Sequence, residues 1–253
     1  MKCDLHCHTS FSYDSWAKPG EMVKAAIEKG IDCLAITDHN EIGGALESIE
    51  YAKGKPILII PGIEIKSKEG DILGLNIEKI IPNGLSAKET IEKIKEAGGI
   101  AIIPHPFGWF YPFRGNLEEL IEEVDGVAET SSHLPKRSAG REMNEEVQRT
   151  PPRTTTWCLA IEVLNVSAFD GNKKALDFVQ RFNLPFTVGS DAHFPNLIGQ
   201  AYLEIPGQNL SIEEVFKKIK NREGKICGST ANFFEKIIDH SKRNLSKVFK
   251  VLP

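Results

Sequence analysis

The amino-acid sequence predicts an α/β barrel built on a parallel sheet. Short apolar runs alternate along the chain with segments of helical periodicity, which is the pattern of repeated strand-helix units. Most of the apolar runs are continuous, as expected for strands that helices cover on both faces. Because the alternation extends over most of the 253 residues, we expect one large domain whose sheet closes on itself.

The first half of the chain contains clear starts and stops for its elements. Residues 4–8 alternate in polarity with a period of two, which predicts the first strand. Pro19 opens a helix, and the capping box Ser86-x-x-Glu89 opens a later one. A strand at 71–76 follows a glycine turn and should form a hairpin with the strand before it. The other expected elements are strands at 32–37, 56–60 and 100–103 and a helix at 42–52.

The second half continues the alternation but includes one long polar segment. Residues from about 130 to 158 contain Pro135 and a run of threonines and lack sustained periodicity. Segments of this length are typical of a mobile insertion or of a lid over a substrate. A second capping box, Ser211-x-x-Glu214, opens a mostly helical C-terminal segment. The other expected elements are strands at 127–129, 159–164, 185–188 and 202–205, the last in the chain, and helices at 116–124 and 172–182.

Composition and charge exclude several classes of protein. The chain is 41% hydrophobic and 26% charged, as in ordinary globular domains, and its net charge of -4 argues against a protein that coats nucleic acid. No apolar run is long enough for a membrane span or a signal peptide. Five scattered cysteines without a C-x-x-C pair favour a reducing cytoplasm. We expect a barrel over residues 1–205 and a helical extension over 206–253 packed on it.

The first predicted strand carries two histidines that can share one metal ion. His6 and His8 lie at positions i and i+2, so their rings point to the same face as Asp4. Cys3 and Cys7 point to the other face, where we expect buried thiols. Asp4 is placed to orient one of the two rings. Taken alone, such a pair is also found on protein surfaces, so the prediction depends on the rest of the chain.

Other ionisable residues also fall at or just after the ends of predicted strands. They are Asp38, His39, Glu64, His105, Asp191 and His193, whereas His133 lies in the polar segment and is expected at the surface. In a β/α barrel the carboxyl ends of the strands share one face, so we expect these side chains to form one site. Imidazoles and carboxylates suit Zn, Mn or Fe, and a bridging Glu64 could hold two ions for in-line attack on a phosphate ester.

Five short motifs resemble those of the PHP (polymerase and histidinol phosphatase) family. They are Asp4-Leu5-His6-Cys7-His8-Thr9, Thr37-Asp38-His39, Gly62-Ile63-Glu64, His105-Pro106 and Gly189-Ser190-Asp191-Ala192-His193. The resemblance extends from residue 3 to about 205, apart from the polar insertion. It implies a distorted (β/α)7 TIM-like barrel, a single domain with that insertion. It also implies metal-dependent hydrolysis of a phosphoester, on a small phosphorylated metabolite or nucleotide, by metal-activated water.

The same resemblance implies two or three divalent metal ions, of Zn, Mn or Fe, and assigns their ligands. The first ion would be held by His6, His8, Glu64 and Asp191, the second by Glu64 and His105, and the third by Asp14, His39 and His193. Many members of the family have a further histidine ligand for the second ion where this chain has Asp71. Either Asp71 binds through oxygen, or the second ion is weakly held or absent.

The resemblance also suggests roles in catalysis and binding. Asp191, His39 and His193 are the candidates for proton transfer. Asp38 is expected to orient a ligand histidine from outside the metal sites. Arg114 resembles the phosphate-binding arginine of the family, although a solvated loop charge explains it equally well.

Two other classes of protein remain open from the sequence. Amidohydrolases also begin with His-x-His on a barrel, but they use a bridging lysine, and here Glu64 takes that place. A catalytically silent, metal-binding regulatory barrel is the third possibility. For the partner, we expect a small phosphorylated substrate; a short oligonucleotide is compatible with the sequence, whereas long nucleic acid and a membrane are not expected. The sequence does not determine the oligomeric state.

Overall fold

Strands and helices alternate through the structure, a computed structural model that describes residues 1–109, 111–125, 159–166, 168 and 171–229. The strands in these ranges are β1 Lys2–Asp4, β2 Cys33–Ile36, β3 Leu58–Lys66, β4 Asp71–Leu75, β5 Ile100–Ile103, β6 Leu159–Asn165, β7 Phe186–Gly189, β8 Ala201–Glu204 and β9 Lys225–Gly228. The helices are α1 Pro19–Glu28, α2 Gly43–Ala52, α3 Ala87–Glu96, α4 Leu117–Asp125, α5 Gly171–Phe182 and α6 Ile212–Lys220.

The strands form one nearly closed, barrel-shaped sheet, which confirms the predicted fold. Their order is β7-β6-β5-β4-β3-β2-β1-β8-β9. The strands β1, β2 and β3 pair in parallel, as do β5, β6 and β7. The gap between β7 and the first strand is bridged where Leu5 N donates to Val188 O at 3.2 Å and where Cys7 pairs with Ala192. The carboxyl ends of the parallel strands therefore meet on one face.

The strand β4 is the exception, because it runs antiparallel to both of its neighbours. This confirms the hairpin expected at 71–76. The turn is closed by Ser67, whose N–H donates to the Gly70 carbonyl at 2.9 Å. As a result the beginning of β4, at Asp71, lies on the same face of the barrel as the ends of the parallel strands. The strand β3 is longer than the expected 56–60 and continues through Pro61 to Lys66, since Pro61 keeps its place in the register opposite Ile36.

The helices begin where the sequence predicts. Ser86 accepts a hydrogen bond from Glu89 N at 3.2 Å, and Glu89 accepts one from Ser86 N at 2.9 Å, so the first capping box is formed. Ser211 and Glu214 form the second in the same way. The apolar faces of the helices pack on the sheet around a core of isoleucine and leucine, in which Cys3 and the other N-terminal thiols are buried as expected. No helix among the described residues combines the length and apolar character that a membrane crossing needs.

The prediction that β8 is the last strand is wrong, and some other predictions concern residues that the structure does not describe. The strand β8 is not the last one, because β9 pairs with it in antiparallel register, Tyr202 opposite Cys227. The extension expected at 206–253 is therefore not wholly helical: its described part is α6 followed by an edge strand. A four-residue strand stabilised by pairing with β8 gives too short a pattern to be recognised in the sequence. Two further ranges, 126–158 and 230–253, lie outside the described residues. The first contains His133, the expected strand at 127–129 and the whole predicted insertion.

One glycine allows the end of β7 to approach the first strand. A Cβ atom on Gly189 would lie 2.3 Å from His6 Cβ and 2.6 Å from Glu162 Oε1. Both distances are shorter than real contacts, so only glycine fits here without a shift of the neighbouring side chains. This close approach places the segment after Gly189, which carries Asp191 and His193, beside the histidines that follow β1.

Candidate metal centre

The ionisable residues predicted from the sequence converge at the carboxyl face of the barrel. His6 and His8 lie just after β1, which ends at Asp4 and not at residue 8 as predicted, and Asp14 lies in the loop beyond them. The remaining predicted ligands are His39 after β2, Glu64 within β3, His105 after β5, and Asp191 and His193 after β7. His39 and His105 are partly exposed at the mouth of the cluster, and the other six side chains are buried.

Four imidazole rings surround the carboxylate of Glu64. Glu64 Oε2 lies 3.4 Å from His6 Nε2, 3.2 Å from His8 Nε2 and 3.2 Å from His39 Nδ1, and Oε1 lies 3.4 Å from His105 Nε2. A carboxylate with ring nitrogens at both oxygens has the geometry of a bridging ligand. The bridging position predicted for Glu64 is thus consistent with its place in the structure.

Two further carboxylates complete the cluster. Asp191 Oδ1 lies 3.3 Å from His8 Nε2 and 3.6 Å from His6 Nε2. Asp14 lies 3.2 Å from His193 Nε2 and 3.5 Å from His39 Nε2. Among the described residues, three sets bring their ligand atoms within 4.8 Å of one another: His6, His8 and Asp191; His6, Glu64 and His105; and His8, His39 and His193.

Hydrogen bonds outside the cluster fix the tautomer of four of the rings. The pairs are His6 Nδ1 with Glu162 Oε1 at 3.1 Å, His8 Nδ1 with Ser12 Oγ at 3.0 Å, His105 Nδ1 with the Tyr111 carbonyl at 3.1 Å, and His193 Nδ1 with the Asp191 carbonyl at 2.9 Å. Carboxylate and carbonyl oxygens accept only, and Ser12 Oγ already donates to Asp38 at 2.9 Å. Each ring therefore donates from Nδ1 and presents its Nε2 lone pair to the cluster.

Lone pairs that face one another in a buried site need a cation between them. His6 Nε2 and His8 Nε2 are 3.1 Å apart. Asp14 Oδ1 and His193 Nε2, both buried, face each other at 3.2 Å. Imidazole nitrogens and carboxylate oxygens at these spacings fit divalent Zn, Mn or Fe. The residues present are therefore suited to the metal ions that the sequence implies.

In the absence of metal, protons take the place of the cations. Burial lowers the pKa of His8, but the nearby carboxylates of Asp191 and Glu64 outweigh it and raise the pKa to about 9. Burial likewise opposes ionisation of Glu64, yet the rings of His39 and His6 hold the pKa of Glu64 well below its usual range. The metal-free cluster is thus a set of buried ion pairs, whose protons a metal must displace.

Two aspartates expected to orient ligands have different partners. Asp38 accepts hydrogen bonds from Thr9 N at 2.6 Å and from Ser12 Oγ, and through Ser12 it orients the ring of His8, as expected. Asp4 contacts no ring. It accepts from Ser190 N at 2.8 Å and from Gly199 N at 2.9 Å, so it holds the segment that carries Asp191. Burial is the main cause of the raised pKa of Asp4, about 6.

Glu162 on β6 also belongs to the site, although none of the sequence motifs includes it. Its Oε1 holds His6, and its Oε2 accepts from His105 N and from Asn165 Nδ2, both at 2.9 Å. Glu162 is fully buried, although the residues before and after it in the strand, Leu159 to Ile161 and Val163 to Leu164, are apolar. A charged residue within an apolar run expected to be buried on both faces was the available signal, since such a charge needs a partner. Ser12 gave no comparable signal.

Asp71 and Arg114 lie at the edge of the cluster. Asp71 is buried at the start of β4, where its Oδ2 lies 3.0 Å from Lys66 Nζ. Burial and the neighbouring charge of Glu64 raise the pKa of Asp71. Arg114 is anchored by its backbone N–H, which donates to the Glu69 carbonyl at 2.6 Å. Its side chain is exposed and forms none of the contacts described above for the cluster.

Five exposed aromatic side chains lie in two loops that contact the cluster, and we call them the aromatic rim. They are Phe11, Tyr13 and Trp16 in the loop after β1 and Trp109 and Tyr111 in the loop after β5. The Tyr13 ring stacks on His39 with centroids 4.7 Å apart, and the Tyr111 carbonyl binds His105. Both loops are therefore attached directly to candidate ligands.

Comparison with known proteins identifies related sequences and folds. The family model of the PHP domain matches residues 4–149, and that of the PHP-associated region matches residues 170–223. An uncharacterised protein of Methanocaldococcus jannaschii is 46% identical over 135 residues, which are 49% of this chain and 77% of that protein. The 5'-3' exoribonuclease Rnm of Escherichia coli is 28% identical over 203 residues, 72% of this chain and 66% of that protein.

A solved structure shares the fold. It is a two-domain protein from Bacteroides vulgatus that contains a predicted PHP-like metal-dependent phosphoesterase. It superposes with a TM-score of 0.63 at 19% identity, over 96% of this chain and 69% of that one.

The contacts of Glu162 generate a prediction about metal affinity. Replacing Glu162 with alanine should weaken metal binding by about 10- to 100-fold, because the His6 ring loses the acceptor that fixes its tautomer. Titration calorimetry with Mn²⁺ measures this change. Glu118→Ala, which removes an exposed carboxylate paired with Arg181, is the matched control and should bind metal normally. An unchanged affinity in Glu162→Ala would show that Glu162 does not orient the ring.

The raised pKa of His8 generates a prediction about pH. Because a metal must displace the proton of His8, affinity for Mn²⁺ should rise by up to about tenfold per pH unit for each proton displaced, up to the folded pKa of about 9. The stability of the metal-free protein should change in the opposite direction and fall as the pH rises. The pKa of His8 is higher in the folded than in the unfolded state, so its stabilisation is complete below about 6.5 and is lost as the pH rises through about 9.

Calorimetry in buffers of different ionisation enthalpy, between about pH 6.5 and about pH 8.5, counts the protons released on metal binding. Metal affinity that does not depend on pH, with no proton release, would contradict the protonated cluster.

Proposed function

This chain belongs to the PHP family and is a metal-dependent phosphoester hydrolase, and we propose that it acts on a small phosphorylated metabolite or nucleotide. The observation that carries this proposal is the convergence of four histidines on the buried carboxylate of Glu64, with Asp14 and Asp191 beside them. The phosphoester itself would lie at the mouth of the cluster, where His39 and His105 are partly exposed.

We propose that the cluster holds two or three divalent ions of Zn, Mn or Fe. The first would be held by His6, His8, Glu64 and Asp191, the second by Glu64 and His105, and the third by Asp14, His39 and His193. When bound, such ions make water nucleophilic at neutral pH and neutralise charge on the phosphoryl oxygens. The fixed Nδ1 hydrogen bonds support this assignment, because they direct the Nε2 atoms of His6, His8, His105 and His193 into the cluster.

The side chains around the metal ions are proposed to move protons and bind phosphate. Asp191 is suited to accept a proton from the attacking water, since its Oδ1 lies within 3.6 Å of ring nitrogens of His6, His8 and His193 and so is directed into the cluster. His39 and His193 share Asp14 as a partner, and we propose that either ring can deliver a proton to the leaving oxygen when the third ion is not bound. Arg114, whose backbone is anchored near the mouth, would bind phosphoryl oxygens through bidentate hydrogen bonds from its guanidinium group.

The alternative classes receive less support from the site. An amidohydrolase would need a lysine in the bridging position, and that position holds Glu64. A silent barrel would not need partly exposed ligands at an open mouth, whereas His39 and His105 are partly exposed there.

Among possible substrates, a nucleotide is the candidate that the aromatic rim favours. Five of the eight large hydrophobic side chains exposed in the described part of the chain belong to the rim. Exposed rings next to a phosphoester site provide surfaces on which a base can stack. The relative from Escherichia coli is a 5'-3' exoribonuclease, which supports the same substrate class. A short oligonucleotide with its 5' end in the cluster is compatible with this arrangement.

The hydrolase activity is tested by metal content together with turnover. Purified protein should contain two or three equivalents of metal and hydrolyse p-nitrophenyl phosphate, and a chelator should abolish turnover. His8→Ala should remove at least one equivalent and lower kcat by about 100-fold or more, because His8 contacts both Glu64 and Asp191. Glu50→Ala, an exposed carboxylate paired with Lys53, is the control. Full turnover in His8→Ala, or in chelator, would refute the site.

The choice of substrate is tested by comparing two phosphoesters in rim variants. Trp109→Ala should raise KM for a nucleoside 5'-monophosphate by about tenfold, because base stacking is lost. KM for ribose 5-phosphate, which has no base, should stay within about twofold. Tyr51→Ala removes an exposed tyrosine of α2 far from the mouth and is the control. Equal effects of Trp109→Ala on both substrates would argue against base recognition by the rim.

A further inference from the structure

Lys66 is held at the edge of the metal cluster by a buried carboxylate. It lies two residues beyond Glu64 on β3, so both side chains point to the same face of the strand. Its partner in the antiparallel register is Asp71, and paired residues also share a face. Glu64, Lys66 and Asp71 therefore face the same side of the barrel wall, at its carboxyl end.

Several contacts fix the position of the Lys66 ammonium group. Nζ lies 3.0 Å from Asp71 Oδ2 and 5.7 Å from the centroid of the Tyr111 ring. The backbone is also held, since Lys66 N donates to Asn40 Oδ1 at 3.0 Å and Lys66 O accepts from Gly84 N at 2.7 Å. Even so, 55% of the Lys66 side chain is exposed, so a ligand at the mouth can reach the ammonium.

A contribution to stability does not explain this pair. Asp71 is 95% buried as a side chain, and its Oδ1 has no hydrogen-bond partner among the described residues. Burial of a carboxylate with one unsatisfied oxygen costs free energy. An ion pair with a half-exposed lysine offsets little of that cost. Such costs are typical of functional sites. The result of the arrangement is a positive charge held in one place at the edge of the cluster.

We propose that Lys66 is a substrate-binding residue whose ammonium binds a non-bridging oxygen of the phosphoryl group. An ammonium has three donors, and Asp71 takes one, so the others are available to an oxygen anion. In the family resemblance a histidine ligand stands at position 71; here Asp71 holds a lysine at that edge instead. This inference rests on the proposed phosphoester hydrolysis.

Direct binding of inorganic phosphate to the metal-loaded protein tests the role of Lys66 without depending on turnover. In titration calorimetry, Lys66→Met should raise the Kd of phosphate by about 10- to 100-fold, because a hydrogen bond to a charged group is lost. Lys66→Arg should recover part of the affinity. Lys68→Met, an exposed lysine two residues farther along, should stay within about twofold of the parent. Metal content by elemental analysis should be the same in all four proteins.

Two results would overturn the inference. One is a phosphate Kd in Lys66→Met equal to that of the parent protein. The other is loss of metal in Lys66→Met in proportion to the loss of phosphate, which would mean that Lys66 acts on the metal sites through Asp71. If the parent protein binds phosphate through Lys66 but hydrolyses no phosphoester, the proposed function fails and the assignment of Lys66 stands.

Discussion

Four imidazole rings converge on the single buried carboxylate of Glu64, and the rest of the site depends on that contact. The four rings come from three separate segments, after β1, β2 and β5, so the contact requires the sheet to curve until these strand ends meet. A carboxylate and several nitrogen lone pairs that face one another in a buried cluster are unfavourable without cations. Metal binding and folding are therefore coupled, because a cation that satisfies the cluster binds the folded chain and not the unfolded one.

A layer of hydrogen bonds behind the ligands gives the cluster its rigidity. Glu162 binds both His6 and the backbone of His105, and Asp38 reaches His8 through Ser12. These contacts use the Nδ1 side of the rings and leave Nε2 directed inward. Orientation that is fixed in advance does not have to be acquired when an ion or substrate binds. The same principle applies at the edge of the cluster, where Asp71 restrains the Lys66 ammonium.

Most of the fold follows from local patterns in the sequence. Apolar runs gave the strands, the two capping boxes gave helix starts, and a glycine turn gave the hairpin of β3 and β4. Errors occurred where pairing with another strand decided the outcome. Partner strands carry β3 through Pro61, and β9 exists because β8 offers it an edge. A pattern confined to a few residues does not predict which strand will pair with it, since β-structure is stabilised by neighbours distant in the chain.

The sequence by itself determined which residues form the cluster and which chemistry they favour. Strand periodicity and the common carboxyl face of a β/α barrel are local rules, and they placed seven of the eight predicted ligands on one face. The eighth, Asp14, came from the resemblance to the PHP family. Only the tertiary structure decided which groups lie behind them. His6 and Glu162 are separated by 156 residues, and Asp4 reaches Ser190 across 186. Contacts of that range depend on how the barrel closes, and closure is a property of the packed chain that no short stretch of sequence encodes.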